Sequence, residues 1–352
     1  MDPKWSEFPR FRREPDFENL RAVLDCRAPS RPTLFEFYMN DPVLYRIAGV
    51  AAGQVLTPED IMRVWIRGFQ NAGYDYVTIT TWMLEGCCFP VERKKTASIS
   101  MNMEGPIHDR GSFDAYPWQA PDKGHFERLA DIEADLPNGM KCMVSGPDGI
   151  LECVTNLLGF ESLCMLLQDD PPLVSDVFES VGSRILAFYR EALKNDAVGG
   201  LIANDDWGFK TQTLLPPAIL EQHVFPWYRE VCRLAHAAGK VVVLHSCGNL
   251  EAILNMIIDD MKFDGKHSYE DAIWPVEDAY EALHQRIGVI GGIDVDFMCR
   301  QPPEAVYARC VAMLDRSGER GGYALGSGNS IPRFMPAESY AALLHAAHDL
   351  DV

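Results

Sequence analysis

The sequence predicts an α/β fold built as a single (β/α)8 TIM-type barrel, and three observations carry that expectation. From residue 140 onward strand and helix patterns alternate without a gap, and counting from Thr33 gives about eight strands, nearly all followed by helices. Right-handed alternation of that number closes a barrel more readily than it builds an open sheet. Second, Val241-Val242-Val243-Leu244 is an apolar, mostly β-branched run of the kind buried on both faces of a parallel sheet. Third, no Gly-rich phosphate loop follows the first strand, as an open doubly wound sheet would show. A chain of 352 residues, 47% of them hydrophobic, suffices for one large core with insertions.

Residues 1–30 are polar with scattered aromatics and prolines and read as an N-terminal arm packed on the outside. Thr33 to Tyr38 reads as the first strand, followed by a turn at Asn40-Asp41-Pro42. Thr57-Pro58-Glu59-Asp60 opens a helix with an N-cap, a first-turn proline and acids. Its stripe Ile61, Val64, Trp65 and Phe69 has the spacing of a core-facing surface. Tyr74 to Thr80 is the second strand. Residues 83–138 then break the rhythm with a stretch rich in Gly, Pro, Met and Trp. A connection that long suggests a lid or substrate-binding insertion over the strand C-termini. It also holds the densest positive cluster, Arg93-Lys94-Lys95, for which a solvated turn is the plainer reading.

The alternation continues with strands at Lys141–Ser145, Gly200–Ala203, Lys240–Leu244, Phe263–Lys266, Ile287–Ile290 and Tyr323–Leu325. Helices are expected at Ile150–Leu167, Pro172–Lys194, Pro217–Ala238, Leu250–Ile258, Pro275–His284, Pro303–Leu314 and Pro336–His348. A formal net charge of −19 repels phosphate backbones and anionic lipid, so neither nucleic acid nor a membrane surface is an expected partner. No apolar run is long enough for a bilayer, and Met1 to Asn19 lacks the apolar core of a signal peptide. The expected location is the cytoplasm, where the scattered cysteines would stay reduced as small core residues. The adjacent pair Cys87-Cys88 reads as structural, since no second pair offers it a metal partner.

A barrel of this kind gathers its site at the C-terminal ends of the strands. Those ends carry Glu36, Thr80, Ser145, Asn204-Asp205-Asp206, His245 with Cys247, His267 with Glu270, Asp294, and Ser327 with Asn329. An imidazole and a thiolate at i and i+2 of an extended segment point the same way, so His245 and Cys247 can share one borderline cation such as Zn2+. A third ligand must come from another strand end, with Glu270 and His267 nearest in sequence. Asp205 and Asp206 are candidate catalytic acid/base residues. Glu36, Asp294 and Asn329 are candidate substrate-binding residues. Zinc held this way binds a substrate thiol and lowers its pKa.

Several of these segments resemble the uroporphyrinogen decarboxylase superfamily. They are Asn204-Asp205-Asp206-Trp207-Gly208-Phe209-Lys210-Thr211-Gln212, His245-Ser246-Cys247-Gly248-Asn249, Gly291-Gly292-Ile293-Asp294, and the closing Tyr323 to Pro332 with Pro336-Ala337-Glu338. The match runs from about Lys141 to the C-terminus, and it implies the same barrel. The Arg-Gln-Ala-Gly-Arg-Tyr and Asn-Leu-Gly-His-Gly signatures of authentic uroporphyrinogen decarboxylases are replaced by Phe35 to Asn40 and Gly326 to Ser330. The resemblance is closer to the methyltransferase branch, which serves corrinoid proteins and thiols such as coenzyme M. That branch binds zinc through His-x-Cys and a later cysteine, and here the later position falls on Asn329. The resemblance thus implies a zinc-dependent methyltransferase acting on a small-molecule substrate, with a corrinoid on a partner protein and a homodimer by superfamily habit. The alternative is a lyase (decarboxylase) acting on a small carboxylate, with Asp206 as proton donor and an Arg or Lys of 83–138 gripping the acid. A non-catalytic corrinoid-binding protein is the third class, but its Asp-x-His-x-x-Gly segment is absent.

Overall fold

The structure, a computed structural model, describes residues 3–51, 53–91, 104–120 and 124–351. Seven parallel strands form one sheet in chain order: β1 (Tyr76–Ile79), β2 (Lys141–Ser145), β3 (Val198–Asn204), β4 (Val241–His245), β5 (Gly265–His267), β6 (Gly288–Ile290) and β7 (Tyr323–Ala324). Each crossover carries at least one α-helix except the one after β4. There the expected helix 250–258 becomes a 3-10 turn at Glu251–Ile253 and a π turn at Met256–Asp260. Nearly every strand residue is buried, which is why these strands read as apolar runs rather than alternating ones.

The expected first strand is not a regular one. Leu34 makes a single parallel bridge to Leu325, with Phe35 N donating to Leu325 O and Leu325 N to Thr33 O, each at 2.8 Å. At the other edge of the sheet, the β1 residue Tyr76 meets the same segment. Its hydroxyl donates to Glu36 O at 2.7 Å and accepts from Glu36 N at 2.8 Å. Both sheet edges therefore meet residues 33–36, through one bridge and one tyrosine. The approach is close: a Cβ on Gly326 would lie 1.7 Å from Phe35 O.

Two long expected helices are each split in two. Gly159, at φ +83°, divides Ile150–Leu158 from Phe160–Asp169, and the two halves are bent by 88°. Val224 divides Pro217–His223 from Phe225–Ala237, because the Pro226 ring cannot continue the preceding turn. Among the described residues no single helix is long and apolar enough to cross a membrane.

Within the expected N-terminal arm, Phe17–Leu24 is a helix whose Leu20 and Val23 are fully buried. It covers the sheet's N-terminal end, where Leu24 packs against Gly265 and Gly288 at the starts of β5 and β6. The described parts of 83–138 hold the short helices Arg110–Ala115 and Arg128–Asp135. Arg93-Lys94-Lys95 lie outside the described residues. Of the ten cysteines, Cys87, Cys142, Cys153, Cys232 and Cys310 are buried as expected, whereas Cys88 and Cys164 are exposed.

Candidate functional site

The sheet register puts Asn204, His245 and His267 level with one another on β3, β4 and β5. Residues level in adjacent parallel strands project side by side, so the two imidazoles meet with their Nδ1 atoms 2.7 Å apart. Beyond them the loops after β3 and β4 are zipped by backbone contacts. Gly208 N donates to Cys247 O at 3.1 Å, and Trp207 N donates to Ser246 Oγ at 3.1 Å. Two glycines permit this: a Cβ on Gly248 would sit 2.2 Å from the Gly208 backbone.

The zipper holds Asp206 against Cys247, whose backbone N–H donates to Asp206 Oδ1 at 2.8 Å. One donor atom from each of Asp206, His245 and Cys247 lies within 4.8 Å of the other two. His245 Nε2 is 3.8 Å from Cys247 Sγ. Tetrahedral zinc with bonds of about 2.0–2.1 Å to nitrogen and about 2.3 Å to sulfur would set such donors about 3.6 Å apart. The donor set therefore fits a zinc ion with one coordination position left over.

Cys247 Sγ also receives the Asn329 amide at 3.3 Å and touches Ser268 Oγ at 3.4 Å. Burial pushes the Cys247 thiol up to about 12, and the Asp206 carboxylate adds to the shift. Without a cation to displace it, the thiol proton stays on at neutral pH. Burial lowers His245 to about 4 and His267 well below the usual imidazole range, so both rings are neutral. Phe37 packs on His245 with ring centroids 4.8 Å apart.

The other expected site residues have different surroundings. Asp205 is fully buried, and its oxygens accept from Leu151 N at 3.0 Å, Glu152 N at 3.1 Å and Tyr228 Oη at 3.1 Å. Its carboxylate thus satisfies first-turn N–H groups of the helix Ile150–Leu158. Asp294 is the N-cap of Val295–Arg300 and also accepts from Asp271 N at 2.9 Å, so both its oxygens hold backbone. Glu36 is buried and tied to Ser327, accepting from its N–H at 3.1 Å and its hydroxyl at 2.7 Å. Burial pushes the Glu36 carboxyl up to about 8. Glu270 and His267 are not in the three-donor group: Glu270 lines a neighbouring cavity, and His267 contacts its own partners.

Two site residues were missed in the sequence. Lys266, 3% exposed, donates to Ser268 O, lies 4.1 Å from the Tyr269 ring centroid and is lowered to about 8 by burial. It lines a cavity of about 360 Å3 with Ser268, Glu270 and Trp274. Glu152 accepts from Gly149 N at 2.9 Å and from the Asn204 amide at 3.3 Å, and burial beside Asp205 and Asp206 raises its pKa well above the carboxylate range. A helix-start glutamate and a lone lysine in a short strand look ordinary in sequence. A larger cavity of about 790 Å3 lies over the ends of β1 to β3, lined by Thr80, Ser145, Asn204, Phe37 and residues 85–89.

Residues 143–350 match the family model described as uroporphyrinogen decarboxylase (URO-D). No curated protein matches. A methyltransferase from Methanosarcina mazei is similar in structure, with a TM-score of 0.71 and 17% identity over 94% of this chain and 97% of that one. A putative vitamin-B12 independent methionine synthase from Listeria monocytogenes is also similar, with a TM-score of 0.50 and 12% identity over 91% of this chain and 99% of that one. At these identities the likeness concerns the fold.

Proposed function

The chain belongs to the uroporphyrinogen decarboxylase family, and from that premise we propose that it is a zinc-dependent methyltransferase. It would move a methyl group between a small methylated substrate and a corrinoid or thiol acceptor. The observation that carries this reading is the Asp206, His245 and Cys247 group, whose spacing suits zinc. Asp206 takes the third place that the sequence assigned to Glu270 or His267. Zinc bound there would supply Lewis acidity, lowering the pKa of a thiol and favouring its nucleophilic form.

The chain's own residues would do the rest. The Asn329 amide and Ser268 hydroxyl polarise the Cys247 sulfur, while Asp206 holds the Cys247 backbone. Phe37 shields one face of His245 from water. Substrate would enter through the 790 Å3 cavity, which the described residues 85–89 help to line.

Protein prepared without chelator should carry about one zinc per chain, lost in Cys247→Ser, His245→Ala and Asp206→Ala and kept in Glu270→Ala. Methyl transfer from free methylcobalamin to a thiol, followed by cobalamin absorbance, should track zinc content. The lyase alternative draws on Lys266, a buried cation suited to a carboxylate. Zinc-free wild type, with turnover untouched by Cys247→Ser, would move the assignment to that lyase.

A further inference from the structure

We propose that His267 is a positioning residue: it fixes the proton of His245 on Nδ1 and leaves His245 Nε2 bare toward Cys247. The role rests on the metal reading above, but its physical basis lies in hydrogen-bond geometry and burial.

His267 Nε2 lies 3.2 Å from the Ser327 carbonyl oxygen. A carbonyl only accepts, so this nitrogen must carry a hydrogen. A neutral His267 then has its lone pair on Nδ1, which faces His245 Nδ1 at 2.7 Å. One proton fits between two nitrogens at that distance, and with His267 Nδ1 bare it belongs to His245. The neutral His245 ring is left with its lone pair on Nε2, the atom 3.8 Å from Cys247 Sγ. Both rings are almost wholly buried, His267 at 0% and His245 at 6% exposed, and burial disfavours the charged imidazolium that would blur this assignment.

The chain of contacts is anchored at its far end. Ser327 is held by Glu36 through both its N–H and its hydroxyl, and its carbonyl also accepts from Gly292 N at 2.9 Å. The space is tight, since a Cβ on Gly291 would lie 2.4 Å from Ser327 O and 2.9 Å from the His267 ring. A ligand histidine usually donates its second N–H to a carboxylate or carbonyl. Here a second histidine accepts that hydrogen bond, so His267 serves the metal centre through His245 and not as a ligand.

The test uses protein labelled with 15N-histidine and stripped of metal, read by long-range 1H–15N correlation. Wild type should show His245 as the Nδ1–H tautomer. His267→Asn keeps an acceptor beside His245 and should preserve both this tautomer and zinc affinity within a few-fold. His267→Phe keeps the ring but no acceptor; it should shift His245 toward Nε2–H and weaken zinc affinity about 10–100-fold. Wild-type His245 protonated on Nε2, or a His267→Phe protein with unchanged tautomer and affinity, overturns the assignment. The expected tautomers together with no zinc uptake by any form would uphold the role of His267 and sink the metal reading instead.

Discussion

At Glu36 a single buried carboxyl couples the site to pH. It sits at 0% exposure with Ser327 as its hydrogen-bond partner, and burial pushes its pKa from 4.5 to about 8. Between those values the unfolded chain has released a proton that the folded chain still holds. Stability therefore falls as pH rises through this window and levels off above about 8. Glu36→Gln keeps the neutral shape, with an amide oxygen for Ser327 N–H and an amide N–H for the hydroxyl. Thermal melts should show the variant gaining on wild type from pH 5 to pH 8, and parallel melting curves would rule out the buried neutral acid. The same reasoning separates the two adjacent aspartates, since neighbours on an extended segment face opposite ways. Asp205 turns to a helix N-terminus and Asp206 to Cys247. The sequence makes both catalytic candidates, because nothing in it separates their surroundings.

Among elements, the parallel strands were legible because burial on both faces makes Val241 to Leu244 a continuous apolar run. The register was not, and it is register that brings His245 beside His267. Helix breaks were half legible: Gly159 and Pro226 stand in plain view, but a glycine or proline within an apolar pattern can also be tolerated. The π turn at Met256–Asp260 had no local signal. The zipper between the β3 and β4 loops gives a test at this scale. Gly248 has φ +84°, and a Cβ there would lie 2.2 Å from the Gly208 backbone, which cannot swing aside as a side chain can. Gly248→Ala combines left-handed strain of about 1–2 kcal/mol with overpacking of about 1–3 kcal/mol. Denaturant melts should register a loss in that range, and zinc content should fall as Asp206 and Cys247 separate. A variant that melts like wild type and keeps its zinc would show that the zipper is not needed.

Across the whole molecule, the strand C-termini carry the proposed chemistry and the N-termini carry anchoring contacts. At the latter end Asp75, 1% exposed and just before β1, accepts from Arg31 Nη2 at 2.5 Å and from Asp16 N at 2.9 Å. Arg13 nearby reaches Gly73 O at 2.6 Å and Asp351 at 2.9 Å, so the first and last segments of the described chain are tied to the same strand. Burial raises the Asp75 pKa even with Arg31 beside it, a sign that the pair is costly to desolvate and more costly to break. Removing the carboxylate leaves Arg31 without its ion-pair partner, so Asp75→Ala should lose about 3–5 kcal/mol of stability. Zinc content at temperatures where the variant stays folded should be unchanged, because Asp75 and Cys247 lie at opposite ends of the sheet. Asp206→Ala should do the reverse, losing zinc while metal-free melts stay close to those of metal-free wild type. If Asp75→Ala loses zinc while still folded, or if Asp206→Ala melts as low as Asp75→Ala, the division between an anchoring end and a chemical end does not hold for this protein.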